Sequence, residues 1–355
     1  MLASRPKFIL DTLVGPIYRF AFNNPSTTPL FWGLVFHILR PVSTWILCLI
    51  CTVFAILPVF LHFWRTSQAR PIDDWASRIV LITGGSHGMG KLLAQDIATT
   101  FRPKKVVLLD RNPVENTDER ICSYQCDISD KYAVKELALT IGREIGYPTV
   151  LINNAGIVNS GTHLIDTDDA LIERTMSVNF LGQVWVTKAF LPHMLAQNKG
   201  HLVTMSSVVG HSGASGAAAY CASKSALNGF LEVLRQELSG TNLRMTNVYP
   251  GLVATGMFAG VDENHGIPWL TPVLHPQEVV DAIIDALKKA QNSEIYLPLY
   301  TNAAPLFRFL PQELGDFIRW VRVDHVRCSW QLWQCLYLSF HVGCRLRGRI
   351  TRWGN

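Results

Sequence analysis

The chain has little excess charge of either sign: 32 lysines and arginines stand against 27 acids, a formal +5 over 355 residues. So small an imbalance gives no electrostatic case for nucleic acid as a partner, and no zinc-finger or RNA-binding motif accompanies it. Cysteine is sparse. Its eight copies (48, 51, 122, 126, 221, 328, 335, 344) are scattered, which speaks against a disulfide framework and suits reduced thiols in or facing the cytosol. Cys48 and Cys51 stand close together, but inside an apolar run with no second ligand pair nearby, so helix packing explains them and no metal site is expected. Internal repeats and low-complexity tracts are missing too. What the chain does have is apolar residues, 48% of the total, enough for a large core.

Part of that apolar content is concentrated in one place. Val42–Trp64 (VSTWILCLICTVFAILPVFLHFW) contains no Asp, Glu, Lys or Arg. Its 23 residues would span about 34 Å as a helix, enough for a hydrocarbon core of about 30 Å. Trp45 and Trp64 sit near its ends, where amphipathic rings favour the interface. The run begins too late, and lacks the small-residue cleavage site, for a removable signal peptide. A single span is preferred over a re-entrant hairpin with Leu30–Leu39. Arg65, Arg70 and Arg78 follow the span and only Arg40 immediately precedes it, which puts the downstream domain in the cytosol. Met1–Phe22, with Arg5, Lys7 and Arg19 against Asp11, reads as an amphipathic surface helix, a mitochondrial address or a simple tail. The organisation expected is therefore a tail over 1–41, a transmembrane helix over 42–64, a folded domain over 72–300 and a second tail over 301–355.

After Asp73-Asp74 the pattern changes. Short β-branched runs (Ile79–Thr83, Lys105–Asp110, Ile121–Cys126, Thr149–Asn153, His201–Met205, Arg244–Tyr249, Glu294–Leu297) alternate with helical stretches near 89–101, 130–145, 168–196, 218–239 and 276–290. That rhythm predicts an α/β fold, a doubly wound parallel sheet of the dinucleotide-binding (Rossmann) kind. The first strand runs into Gly84-Gly85-Ser86-His87-Gly88-Met89-Gly90 and then a helix. Glycines at such a corner let the backbone approach a pyrophosphate, and the helix N-terminus adds N–H groups and partial positive charge. The second strand ends at Asp110, an acid placed to accept from the adenosine ribose hydroxyls and to repel a 2′-phosphate. NAD is favoured on this ground. Arg111 and His87 pull towards NADP.

Thr83-Gly84-x-x-x-Gly88-x-Gly90, together with Asn153-Asn154-Ala155-Gly156, Asp127 and Pro250-Gly251-x-x-x-Thr255, resembles the short-chain dehydrogenase/reductase family over about residues 76–300. The resemblance implies that these residues, with Ser86, His87, Met89 and Val253, bind a nicotinamide cofactor. Asp127 would contact adenine, and the stretch from Pro250 the nicotinamide end.

Tyr220-Cys221-Ala222-Ser223-Lys224 opens a predicted helix, and a spacing of four puts phenol and ammonium on one face. A free phenol, with a pKa of about 10, is a poor base near neutrality, and a neighbouring cation should lower it. Ser207, at the end of a predicted strand and thirteen residues before Tyr220, matches the family's catalytic serine, and Asn179 matches a fourth family position. The resemblance implies that Tyr220 exchanges the proton while hydride passes to or from nicotinamide. Ser207 then steadies the substrate oxygen, Lys224 grips the ribose, and Asn179 holds a water linking Lys224 to solvent. Ser206 stands behind Ser207.

The segment between Thr255 and Pro276, with Met257, Phe258, Trp269 and Leu270, is expected to form an apolar lid. Anchor and lid together suggest a lipophilic alcohol or ketone: a retinoid, a steroid or a long-chain lipid. The order of anchor and motifs is similar to the membrane-bound retinol and hydroxysteroid dehydrogenase branch of the family. This implies the endoplasmic reticulum or a lipid droplet as location, and a homodimer. A 3-ketosphinganine-type reductase using NADPH, and a catalytically idle nicotinamide sensor or scaffold, stand as alternatives. Leu306–Val321 could lie at the membrane surface. His325–Asn355, with three cysteines, three tryptophans and no acids, is either a basic lipid-binding helix or an unusual tail.

Overall fold

A computed structural model describes residues 74–114, 118–158, 162–255, 273–311 and 313–315, together with the isolated positions Ile46, Leu49, Thr52, Val53 and Ile56. The chain divides into two compact units, Met1–Gln68 and Ala69–Asn355. In the first, the five described positions fall inside the expected span; all are helical, and Ile46, Leu49, Val53 and Ile56 expose their apolar side chains. The rest of the span, residues 256–272 of the expected lid, the tail over 1–41 and residues 316–355 of the second tail lie outside the described residues. Among the described residues no helix is long and apolar enough to cross a membrane.

The second unit is built on a seven-stranded sheet in the order β3-β2-β1-β4-β5-β6-β7. The strands are β1 (Ile79–Thr83), β2 (Lys105–Asp110), β3 (Ile121–Gln125), β4 (Val150–Asn153), β5 (Gly200–Met205), β6 (Leu243–Pro250) and β7 (Ser293–Leu297). Every neighbouring pair is parallel. Successive side chains point to opposite faces, and both faces are covered, so each strand must be apolar on both. In β1, Val80 and Ile82 pack with Leu93, Ile97 and Ile283 on one side, while Ile79 and Leu81 share the other layer with Ile141, Phe190 and Leu231. That double demand is why the inner strands β1, β2 and β4 read as nearly unbroken apolar runs, while the edge strands β3 and β7 carry polar residues.

The covering helices are α1 (Gly88–Thr100), α2 (Lys131–Glu144), α3 (Asp169–Met176), α4 (Gln183–Ala196), α5 (Ala218–Glu237) and α6 (Pro276–Lys289). Local chemistry fixes their starts. Asp130 accepts from the N–H groups of Tyr132 (2.8 Å) and Ala133 (3.2 Å) ahead of α2. Pro276 opens α6 inside a reciprocal cap between His275 and Glu278. The single helix expected over 168–196 is instead α3 and α4 joined by a π-helical turn, Ser177–Gly182. Such turns insert a residue into the helical ladder and often mark functional positions. The chain winds outward from β1 to β3 and returns to β4 beside β1. The strand order therefore reverses between β1 and β4, and the crevice at their carboxyl ends is where a sheet of this kind holds its ligand. After β7 a 3-10 segment, Leu299–Phe309, buries Thr301 and Ala304 and leaves Leu299, Leu306 and Phe309 exposed.

Candidate active site

At the carboxyl ends of β1 and β4 the backbone is packed against itself. Gly84 has φ +70°, and a Cβ there would stand 2.8 Å from the Cα of Ala155. A Cβ on Gly90 would come within 2.0 Å of the Gly84 carbonyl oxygen. Side chains stitch the same seam. Thr83 Oγ1 accepts from the backbone N–H groups of Asn154 and Ala155, both at 3.0 Å. Asn154 Nδ2 donates to the carbonyls of Thr83 (3.0 Å) and Gly84 (3.1 Å). Helix α1 then starts at Gly88 with no side-chain cap from His87 and no acid in its first turn. Its partial positive charge is left facing the crevice.

The crevice has a volume of about 470 Å³ and is lined by Gly84, Ser86, His87, Gly88, Met89, Asp110, Arg111, Asp127, Asn154, Ala155, Gly156 and Thr255 among the residues expected to bind cofactor. Asp110 is held in place by two backbone donors, Ser86 N–H to Oδ2 and Asn112 N–H to Oδ1, both at 2.9 Å. Each carboxylate oxygen keeps a lone pair for a further donor. Asp127 accepts from Ser129 N–H (3.0 Å) and its hydroxyl (2.7 Å) at the crevice edge. A backbone-walled corner, a bare helix N-terminus and an acid at the end of β2 are the parts a dinucleotide requires, and the residues fit one.

Several expected cofactor residues do not line the crevice. Thr83 and Gly90 build the seam beneath it. Asn153 turns into the sheet layer, where Nδ2 donates to Thr187 on α4 (2.8 Å) and Oδ1 finds no partner. Pro250 and Gly251 end β6, with Gly251 N–H donating to Leu297 (2.7 Å), and Val253 is buried in a bridge to Leu274. In the other direction Arg174, on α3, lines the crevice unforeseen, as do Asn112, Cys126 and Ile157. Nothing in the local sequence around Arg174 separates it from an ordinary exposed helix cation.

Beside the crevice the four expected reactive residues come together from three elements, all buried: Asn179 from the π-helical turn, Ser207 after β5, and Tyr220 and Lys224 from α5. Lys224 Nζ donates to the Met205 carbonyl at 2.8 Å and lies 5.9 Å from the centre of the Tyr220 ring. Asn179 Oδ1 accepts from Ile157 N–H (2.7 Å), while its Nδ2 donates to the Ile157 carbonyl (2.8 Å) and to Ser223 Oγ (3.1 Å). A Cβ added to Gly156 would fall 3.3 Å from Asn179 Oδ1 and 3.9 Å from Lys224 Nζ, so the Asn-Asn-Ala-Gly end meets the reactive group directly. Ser207 Oγ hydrogen-bonds Tyr220 and lies 3.4 Å from the Pro250 carbonyl. Ser206 points elsewhere, donating to Asn228 Oδ1.

The lowering expected at the phenol, from lysine together with oxidised nicotinamide, is opposed in the protein alone by burial. Burial pushes the Tyr220 phenol up to about 12, with the Ser207 hydrogen bond working against the rise. Burial also brings Lys224 down to about 8. In the protein alone, removing both groups from water outweighs the help each could give the other's charged form.

Fold and site together define a nicotinamide-dependent oxidoreductase. The model of the short chain dehydrogenase family matches residues 78–266. Human epidermal retinol dehydrogenase 2 is 37% identical over 280 residues, covering 75% of this chain and 85% of that protein. Estradiol 17-beta-dehydrogenase 11 of Macaca fascicularis is 34% identical over 257 residues, covering 69% and 81%. The fold is that of the ligand-free aldohexose dehydrogenase of Thermoplasma acidophilum (TM-score 0.56, 24% identity, 63% of this chain and 93% of that one). The chain belongs to the short-chain dehydrogenase/reductase family, in the branch of the retinol and hydroxysteroid dehydrogenases, and acts on a CH–OH or C=O group.

Proposed function

We propose that this chain is a membrane-anchored dehydrogenase that interconverts a lipophilic alcohol and its carbonyl compound, with Tyr220, Ser207, Lys224 and Asn179 as the reacting set. The observation that carries the assignment is the meeting of these four buried residues beside the glycine-walled crevice. A bound nicotinamide supplies the hydride acceptor or donor. The Tyr220 phenol exchanges the proton with the substrate oxygen, and the Ser207 hydroxyl donates a hydrogen bond to that oxygen. Lys224 would hold the nicotinamide ribose, while Asn179 fixes the Ile157 backbone and faces Lys224 across Gly156. Hydrogen bonding and positive charge at the phenol oxygen then offset the burial that holds its pKa high in the protein alone.

Asp110 supports NAD as the cofactor, because its charge repels a 2′-phosphate. Arg111, His87 and Arg174 line the same crevice and favour the NADPH-using lipid ketone reductase as second reading. The lipophilic substrate and the anchor over 42–64 are supported by the exposed apolar helical positions Ile46, Leu49, Val53 and Ile56 and by the names of the relatives. On this reading 72–300 is the catalytic domain, facing the cytosol from the endoplasmic reticulum or a lipid droplet. The test presents retinol, estradiol and a long-chain ketone in liposomes, each with NAD(H) and NADP(H), and follows nicotinamide absorbance. Turnover of a lipid alcohol with NAD is expected. No turnover of any of them with either cofactor overturns the assignment, and a preference for the ketone with NADPH moves it to the second reading.

A further inference from the structure

Tyr220, Lys224 and Asn228 follow one another at intervals of four along α5, so they share one face of a single helix. The third of them has no part in the scheme above, yet its amide is 5% exposed and both of its ends are in use. Asn228 Oδ1 accepts from the Ser206 hydroxyl, and Nδ2 lies 3.4 Å from His211 Nε2. Those two partners bracket Ser207 in the chain. The turn between them is pressed onto the same helix: a Cβ on Gly210 would meet Asn228 Nδ2 at 2.7 Å and the Lys224 carbonyl oxygen at 2.9 Å. Ser225 Oγ also donates to the Gly210 carbonyl, at 2.8 Å.

The turn is gripped from its outer side as well. Arg308, in the 3-10 segment after β7, donates to the carbonyls of Gly210 (3.0 Å) and His211 (3.3 Å). Tyr296 on β7 brings its hydroxyl to 3.3 Å from His211 Nε2. Apart from its hydrogen bond to Tyr220, Ser207 has little to hold it, since its contacts to the Pro250 carbonyl and the Val209 N–H are both long, at 3.4 Å. One hydrogen bond does not fix the strand end, so its place relative to Tyr220 also rests on its neighbours.

Resting on the assignment of Ser207 and Tyr220 above, we propose that Asn228 is a positioning residue for the reaction. It uses α5 as a common ruler, so that the helix carrying the proton-exchanging phenol also fixes the strand end carrying the serine, with Arg308 closing the turn from outside. Small errors in such a distance are expensive, because a misplacement of about 1 Å can cost a hundredfold in rate.

The test compares Ser206→Ala, Asn228→Ala and the double variant in the full chain. The substrate is retinol, or whichever alcohol of the panel the wild-type chain oxidises fastest. Each single variant should lose about tenfold in kcat, and the double no more than either, because both remove the same bond. KM and NADH affinity should stay within about twofold, and the isotope effect on kcat with carbinol-deuterated substrate should rise as hydride transfer becomes limiting. Wild-type kcat in Ser206→Ala, which loses only a hydroxyl and should fold, overturns the proposal. So do two losses that multiply to about a hundredfold. If Asn228→Ala does not fold, Arg308→Gln takes its place, and an unchanged kcat and isotope effect there refutes the outer clamp. Ser207→Ala is the control: if it keeps full turnover, or if the wild-type chain oxidises no alcohol at all, the underlying assignment fails rather than the ruler.

Discussion

Replacing Tyr220 with Phe separates chemistry from folding at one atom. The ring is 9% exposed and packs among Ala217 and Cys221, and Phe keeps all of that surface. What goes is the phenol oxygen and its hydrogen bond with Ser207. A typical buried hydrogen bond contributes about 1 kcal/mol, and Ser207 keeps its long contact to the Pro250 carbonyl, so the stability loss should be near 1 kcal/mol. The kinetic loss is of another order. Removing the proton-exchanging group should cost at least about 10² to 10⁴ in rate, roughly 3–5 kcal/mol of barrier. Tyr220 is not among the residues lining the crevice, so cofactor binding there should survive the change. Three measurements on the same preparation decide the matter: turnover of a lipid alcohol, NADH binding by fluorescence titration, and a thermal melt. The reasoning predicts lost turnover, retained NADH binding and a melting temperature lower by only a few degrees. Turnover within tenfold of wild type would refute it, and so would NADH binding that vanishes along with activity.

Two further outcomes are expected. Lys224 should be functional at a cost in stability. Its pKa falls from 10.5 to about 8 on burial, so the folded state binds its proton less readily than the unfolded chain. The penalty is complete below pH 8 and fades between pH 8 and about 10.5. Lys224→Met should therefore melt higher than wild type at pH 7, by about 1 kcal/mol after the lost bond to Met205 is allowed for, and the gap should close towards pH 10. A gap that widens with pH would contradict the sign. Gly90→Ala drives a methyl group into the Gly84 carbonyl and against Asn154 Nδ2, so the seam itself must shift. Isothermal titration should show NADH affinity falling by more than tenfold, and wild-type affinity would mean that the corner is looser than its contacts imply.

Much of the domain was legible in the sequence because parallel strands buried on both faces have a distinctive signature. Each of the seven expected strands lies within a residue or so of its observed limits. The glycine corner and the four-residue spacing of Tyr220 and Lys224 were legible for a related reason, since both are local geometry. Failures came where the outcome depends on what packs overhead. Asn153 and Asn154 are adjacent and identical in type, yet one turns under the sheet to Thr187 and the other closes the seam at Thr83. Only strand alternation and the position of α4 decide which does which. Arg174 reaches the crevice from α3, a helix that ends in a π-helical turn no periodicity announced. The burial that raises the phenol pKa in the protein alone was not legible either, because a sequence shows a neighbouring charge and does not show how much water has been removed.

The seam of Thr83, Gly84, Asn154 and Ala155 divides labour within the crevice. Each of its bonds joins a side chain to backbone, and they close when the sheet closes, so the floor on which a coenzyme would rest is completed by folding alone. Binding then has little main chain left to organise. Discrimination between coenzymes falls to the rim, where Arg111, His87 and Arg174 take no part in the seam, while Asp110 alone is also tied to the corner through the Ser86 N–H. A change of coenzyme in this lineage could therefore be made one rim residue at a time, on a foundation that stays put.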